Sequence, residues 1–251
     1  MPLKNIKISL SFDGTHFYGW QKQKDKTTVQ EEIEKGIKKI TGVETKITGC
    51  GRTDAGVHAI NYVANFKIET RLTPEEIKNA LNSVLPEEIF IKKVEFVEEN
   101  FHSRYSAKRK TYLYLISNQK TPFLKNKSFY LKGNLDIDKM KKAAKYFIGK
   151  KDFSSFKAAG SSVKNPVREI FKITINKENF CLDPDVKILK IEIEGDGFLY
   201  KMARNIVGTL IEVGRGKIEP EEVKKIIEKK DRKFAPPTAP SCGLYLKEVK
   251  Y

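Results

Sequence analysis

The feature that most constrains this chain is a repetition: two halves of the 251-residue sequence carry the same order of elements. In the first half, Ile6, Ile8 and Leu10 alternate with Asn5, Lys7 and Ser9, which predicts a strand over 6–12. A helix is expected over Val29–Ile40, with Glu31, Glu32, Glu34, Lys35, Lys38 and Lys39 on its polar face. Strand-like segments follow at Thr45–Gly49 and Asn61–Ile68. A second helix begins after Thr73, where Pro74 takes the first helical position and Glu76 completes a capping box. A strand over Ile89–Phe96 closes the half.

The second half repeats the order. Tyr112 and Tyr114 alternate with Leu113 and Leu115 in a strand over Thr111–Ser117. A helix over Ile137–Ile148 has Asp136 or Asp138 at its cap, and strands are expected at Arg168–Ile175 and Val186–Ile193. Helices over Phe198–Val213 and Pro220–Lys229 precede a last strand at Gly243–Val249. Gly/Pro-rich punctuation falls at Ala159–Ser162 and Ala235–Pro240. Both halves read approximately β-α-β-β-α-β, the split-βαβ pattern. The fold class is therefore α/β (α+β): two related ferredoxin- or RRM-like domains with antiparallel sheets, residues 1–104 and 105–251.

Charge separates the halves. Residues 1–100 hold 15 Lys+Arg and 15 Asp+Glu, whereas residues 101–251 hold 33 and 17, so the whole excess of +16 lies in the second part. Such a surface suits a polyanion, because each phosphate neutralised releases counterions; Lys-rich helices that merely keep a protein soluble give the same count. No apolar run approaches the ~18 residues of a membrane span. The opening residues read as a strand rather than a signal peptide, so a soluble intracellular, cytoplasmic protein is expected. Cys50, Cys181 and Cys242 are far apart, no C-x-x-C occurs, and only His16, His58 and His102 are present, so neither a disulfide framework nor a metal site is expected.

One segment is rich in chemistry: Gly49-Cys50-Gly51-Arg52-Thr53-Asp54-Ala55-Gly56-Val57-His58-Ala59. Its third glycine arrives too late for a dinucleotide-binding G-x-G-x-x-G. Gly51 and Gly56 have P-loop spacing, but Val57-His58 follow instead of Lys and Ser/Thr, so no cation meets a β/γ-phosphate. What remains is a carboxylate on a tight loop. On residue chemistry alone, Asp54 is either a turn cap or a reacting group.

The order of motifs along nearly the whole chain resembles the tRNA pseudouridine synthase A (TruA) family. The run Gly51–Ala59 is similar to its signature; Ser11–Gln21, Val29-Gln30, Phe101–Ala107, Tyr112–Tyr114, Met202–Gly208 and Gly243–Leu246 match further motifs in order. The resemblance implies an isomerase that converts uridine to pseudouridine in the anticodon stem-loop of tRNA, positions 38 to 40. It also implies a homodimer and no cofactor. Asp54 is then the catalytic carboxylate, attacking the sugar C1′ or removing a proton from C2′. A buried ionised carboxylate needs a counter-charge, and the family match supplies Arg204. Leu199, Met202, Ala203, Ile206, Val207 and Leu210 share one helical face, and Arg204 lies on its flank, where it reaches a site or simply snorkels over the core.

By the same resemblance Tyr112 binds the substrate uracil, stacking being suited to a flipped base; the alternative is that Tyr112 is a strand aromatic packed in the core, unless Tyr114, of the same parity, is the one packed there. Arg52 matches an arginine that holds the extruded nucleotide, with a guanidinium able to contact phosphate bidentately. His58 reads as structural, with proton transfer the alternative. Lys108, Arg109 and Lys110 contact RNA backbone or are a solvated stretch. The carboxylate lies in the neutral half and Arg204 and Tyr112 in the basic one, so the active-site cleft is expected between the two domains. The competing class is a non-catalytic RNA-binding protein with RRM-like domains, although the RNP1 aromatic motif is absent. A base deaminase is excluded by the missing H-x-E and P-C-x-x-C ligands.

Overall fold

In a computed structural model the described residues are 3–160 and 163–251. The strands are β1 (Leu3–Phe12), β2 (Thr48–Gly49), β3 (His58–Glu69), β4 (Ile89–Val97), β5 (Arg109–Ser117), β6 (Phe129–Tyr130), β7 (Gly149–Asp152), β8 (Val167–Phe180), β9 (Asp183–Gly195) and β10 (Leu244–Lys250). The helices are α1 (Val29–Thr41), α2 (Pro74–Val84), α3 (Ile137–Lys145), α4 (Met202–Gly214) and α5 (Glu222–Lys229). The chain divides into two compact units, one of residues 1–108 with 245–251 and one of residues 109–244. Among the described residues no helix is long and apolar enough to cross a membrane.

In the first unit the sheet order is β4-β1-β3-β10, and β2 also lies along β3. The pairings β1–β3, β1–β4 and β2–β3 are antiparallel, while β10 runs parallel to β3 at Tyr245↔His58 and Leu246↔Ala59. Period-2 alternation sends Ile6, Ile8, Leu10 and Phe12 of β1 into the core, as expected. Each such side chain, fully buried, contributes roughly 1.5–3 kcal/mol. The helix α1 starts where the Thr28 side chain accepts from the Glu31 amide, and it ends at Gly42 in the left-handed region. Its buried stripe, Val29, Ile33 and Ile37, follows the 3.6-residue period. The expected capping box of α2 is present, with Thr73 and Glu76 bonding reciprocally. Of the segment Thr45–Gly49, only Thr48–Gly49 pairs as strand.

In the second unit β5-β9-β8-β7 form an antiparallel sheet, and β6 joins β5 in parallel. The order β5-β9-β8 is that of the first, third and second strands of a split-βαβ unit. Burial of Met140 and Ala143 on α3 and of Val207 and Leu210 on α4 supplies the core beneath. The strands β3, β8 and β9 run longer than the sequence reading gives, and three helix boundaries differ from it by two residues or more. The helix α4 begins at Met202, not Phe198, because Lys201 adopts φ +58° and interrupts helical backbone. The helix α3 stops at Lys145, and the chain turns at Gly149 (φ +96°) into the unanticipated strand β7. Pro220 precedes α5, which begins at Glu222. Of the punctuation at Ala159–Ser162, Ser161 and Ser162 lie outside the described residues.

Candidate active site

The Asp54 loop is built by two glycines that belong to another loop. The segment Asp13–Trp20 leaves β1 and folds back along residues 53–58. Gly14 and Gly19 sit where a side chain has no room: a methyl at Gly14 would meet the Val57 carbonyl, and one at Gly19 the Thr53 carbonyl. Gly19 also holds φ +86°, which glycine adopts without strain. Backbone hydrogen bonds close the interlock. The Trp20 amide donates to the Thr53 carbonyl (3.3 Å) and the Gly56 amide to the Phe17 carbonyl (3.3 Å). Within the loop, the Val57 amide donates to the Asp54 carbonyl (3.2 Å), closing a turn with Gly56 at φ +75°. Thus Asp54 is carried at the head of a tight turn, half-buried, with its backbone fixed from both sides.

The far ends of the interlock are anchored to the core. The Gly19 and Trp20 carbonyls accept from the Val29 and Gln30 amides at the start of α1 (3.2 and 3.0 Å), which satisfies two helix-end donors. The Trp20 ring stacks on Tyr62 (centroids 4.1 Å), and the Tyr62 hydroxyl donates to the Gly51 carbonyl. Any side chain at Gly49 would collide with that pair, so this glycine serves close packing rather than phosphate contact.

His58 has a structural place in the same lock. It is 2% exposed, stacks on Tyr245 (4.6 Å), and puts Nδ1 3.0 Å from Asp13 Oδ1 and 3.1 Å from the Gly14 amide. One nitrogen serves one of those partners at a time: protonated it donates to Asp13, bare it accepts from Gly14. Asp13 in turn accepts from the amide and hydroxyl of Thr15 (3.1 and 2.6 Å). In the sequence Asp13, Gly14 and Gly19 are marked only as members of the Ser11–Gln21 motif, with no individual role.

Arg52 is exposed, two residues before Asp54 on the same loop. A cavity of about 300 Å³ opens beside it, bounded also by Lys46, His102, Arg104 and Tyr105.

Tyr112 and Arg204 lie in the second unit. Tyr112, on β5, is half-buried with its ring edge-on to Phe198 (4.8 Å). Its parity partner Tyr114 is the core aromatic, 1% exposed, with its hydroxyl donating to the Pro240 carbonyl (2.8 Å). Burial pushes the Tyr114 phenol far above its ordinary range. Arg204 sits on the flank of α4 while Met202, Ala203, Ile206 and Val207 are buried. Its Nε donates to the Ala239 carbonyl (2.8 Å), and the Ala239 amide donates to the Arg204 carbonyl (3.2 Å). The guanidinium is therefore braced by the segment Ala235–Pro240 rather than lying loose over the core. One residue on, Asn205 fastens the same segment: it donates to the Phe156 carbonyl (2.7 Å) and accepts from the Thr238 hydroxyl (2.6 Å). Gly208 lets the Pro237 carbonyl approach the helix, since any side chain there would meet that oxygen.

Comparison with known proteins gives a consistent result over the full length. A protein family described as tRNA pseudouridine synthase matches residues 8–106 and 143–251. Asp54, Arg52 and Arg204 fall within those spans; Tyr112 falls in the stretch between them. The chain is 48% identical to a protein named tRNA pseudouridine synthase A from Thermoanaerobacter pseudethanolicus, covering 99% of this chain and 100% of that one. It is 46% identical to the protein of that name from Acetivibrio thermocellus, with the same coverage. It is 45% identical to tRNA pseudouridine synthase A 2 of Clostridium perfringens, again over 99% and 100%.

Proposed function

Because the chain belongs to the tRNA pseudouridine synthase family, we propose that it isomerises uridine to pseudouridine in the anticodon stem-loop of tRNA, at positions 38 to 40, with Asp54 as the catalytic carboxylate. The observation that carries this reading is the interlock around Asp54: two loops far apart in sequence fix one carboxylate at the head of a turn. Fixed placement of the reacting group is where much of an enzyme's rate enhancement originates.

In the reaction the N1–C1′ bond breaks, the base turns, a C5–C1′ bond forms, the C5 proton leaves and N1 gains a proton. Atoms and charge balance without an oxidant or cofactor. Asp54 acts on the sugar, attacking C1′ or taking the C2′ proton; either step requires its ionised form. Arg204 is the cationic partner in this reading, and its hydrogen bond to the Ala239 carbonyl gives the guanidinium a set direction. Tyr112 lies against the uracil, and Arg52 holds the extruded nucleotide by phosphate contact or stacking. The basic excess of residues 101–251 attracts the tRNA backbone. The enzyme works as a homodimer in the cytoplasm.

Release of tritium from tRNA labelled at uridine C5 tests this directly. Wild-type protein releases the label; Asp54→Asn does not, yet still binds tRNA. Arg204→Ala loses turnover with a modest loss of binding. An active Asp54→Asn variant would sink the assignment.

A further inference from the structure

The cavity beside Arg52 is the strongest unassigned feature of the molecule. It lies wholly in the first unit and has a volume of about 300 Å³, the lower end of the range for small-ligand sites. That unit, residues 1–108 with 245–251, carries 19 basic and 16 acidic side chains. The cavity lining nevertheless includes Lys46, Arg52 and Arg104 and not one carboxylate. Its rim carries the most exposed aromatic ring of the protein, Tyr105, at 76%.

The turn that carries this ring is fixed by hydrogen bonds. His102 Nδ1 accepts from the amides of Arg104 and Tyr105 (3.1 and 3.3 Å), and the His102 ring lies 4.3 Å from Tyr105. The Ser106 amide donates to the His102 carbonyl (2.9 Å), and the His102 amide donates to the Ser106 hydroxyl (3.1 Å). Buried Ser103 ties this turn to the sheet, its amide donating to Asn65 Oδ1 (2.9 Å) and its hydroxyl to the Thr48 carbonyl (2.7 Å). The Arg104 guanidinium lies 5.6 Å from the centre of the Tyr105 ring. A solvent-facing aromatic costs hydration free energy unless something covers it. An exposed aromatic on a fixed turn, with cations around an adjoining cavity, matches what single-stranded nucleic acid requires: a stacking platform for a base and positive charge for the phosphates on either side.

We propose that Tyr105, with Arg104, Lys46 and Arg52, forms a second nucleotide site. It stacks one unpaired RNA base, separate from the uracil that meets Tyr112, and takes that base's phosphate into the cavity. This rests on the reading that the chain acts on RNA, and it deepens that reading. Arg52 would face both sites: the loop that carries Asp54 also lines the cavity, so seating this second base places the neighbouring nucleotide beside the catalytic turn.

The test uses the full-length enzyme and unmodified tRNA. Tyr105→Ala is expected to raise the tRNA Kd about tenfold, the scale of one lost base–aromatic stack, with KM rising alongside and kcat changing much less. Tyr105→Phe keeps the stack and should bind like wild type. Arg104→Ala should weaken binding and flatten its salt dependence by about one phosphate contact. Crosslinking wild-type protein to tRNA at 254 nm, followed by nuclease and protease digestion, should yield a nucleotide adduct on the peptide containing Tyr105. Unchanged Kd and KM in Tyr105→Ala would overturn the proposal and leave this face to a protein partner. Equal weakening in Tyr105→Phe and Tyr105→Ala would overturn the stacking role. Failure is separable from failure of the catalytic reading, because tritium release by wild type and its loss in Asp54→Asn are scored in the same assay.

Discussion

Replacing Gly19 by alanine should disable the enzyme without unfolding it. Two effects act at this position. The first is conformational: at φ +86° an L-residue is strained by about 1–2 kcal/mol. The second is steric. The new methyl would stand 2.2 Å from the Thr53 carbonyl oxygen, where ordinary contact begins near 3.4 Å. Relief requires the Thr53–Asp54 peptide to retreat by about 1 Å, which also strips the Trp20 amide of its acceptor. If Asp54 is the reacting group, as proposed, a shift of that size costs on the order of 10²-fold in rate. Gly42→Ala is the matched control. It has a similar left-handed backbone (φ +75°) and open space around it, so it carries the conformational cost alone. Tritium release and thermal unfolding are measured on both variants. Each should lose a few degrees of Tm, at about 2–4 °C per kcal/mol for a chain of this size. Only Gly19→Ala should lose turnover. Near-wild-type turnover in Gly19→Ala, with its Tm falling no further than that of Gly42→Ala, would refute the claim that this contact positions Asp54.

Two further outcomes follow from buried polar groups. Asn205→Ala strands the Phe156 carbonyl in the interior, takes an acceptor from the Thr238 hydroxyl and the Arg232 guanidinium, and should cost about 1–3 kcal/mol; a loss under 1 kcal/mol by chemical denaturation would contradict the arrangement. Burial raises the phenol pKa of both Tyr114 and Tyr251, so in the unfolded chain they release protons that the native state retains. Their contribution to stability is complete below about pH 9 and is lost as pH climbs past about 10, at up to about 1.4 kcal/mol per pH unit for each tyrosine. Denaturant titrations from pH 8 to 11 should therefore show a shallower fall in Tyr114→Phe than in wild type, and parallel curves would refute this account.

What the sequence made legible was governed by local chemistry. The helix α2 was readable because Thr73, Pro74 and Glu76 satisfy its first amides among themselves, with no distant partner. The strand β1 was readable because one of its faces is buried along its whole length, which forces a period of two. Elements fixed from elsewhere were hidden. The strand β7 is four residues, Gly149-Lys150-Lys151-Asp152, with no apolar alternation; it exists because β8 offers it a partner. The start of α4 is set by a left-handed lysine, a conformation that no propensity scale assigns to lysine.

The region around Asp54 was legible for a different reason. Periodicity says nothing about Gly49–Ala59, and the glycines there fail both nucleotide-binding patterns. What marked the segment was its company, above all Ser11–Gln21 some thirty residues earlier. The fold supplies the physical tie between the two. Gly14 packs against the Val57 carbonyl and Gly19 against the Thr53 carbonyl only because neither glycine carries a side chain, and His58 of one segment meets Asp13 and Gly14 of the other. Each segment supplies packing and hydrogen-bond partners to the other, so the two motifs form one device. Inside the run, Gly49, Gly51, Gly56 and His58 are accounted for by packing and hydrogen bonding within the interlock, so the glycines that fail both nucleotide-binding patterns have a use that needs no nucleotide.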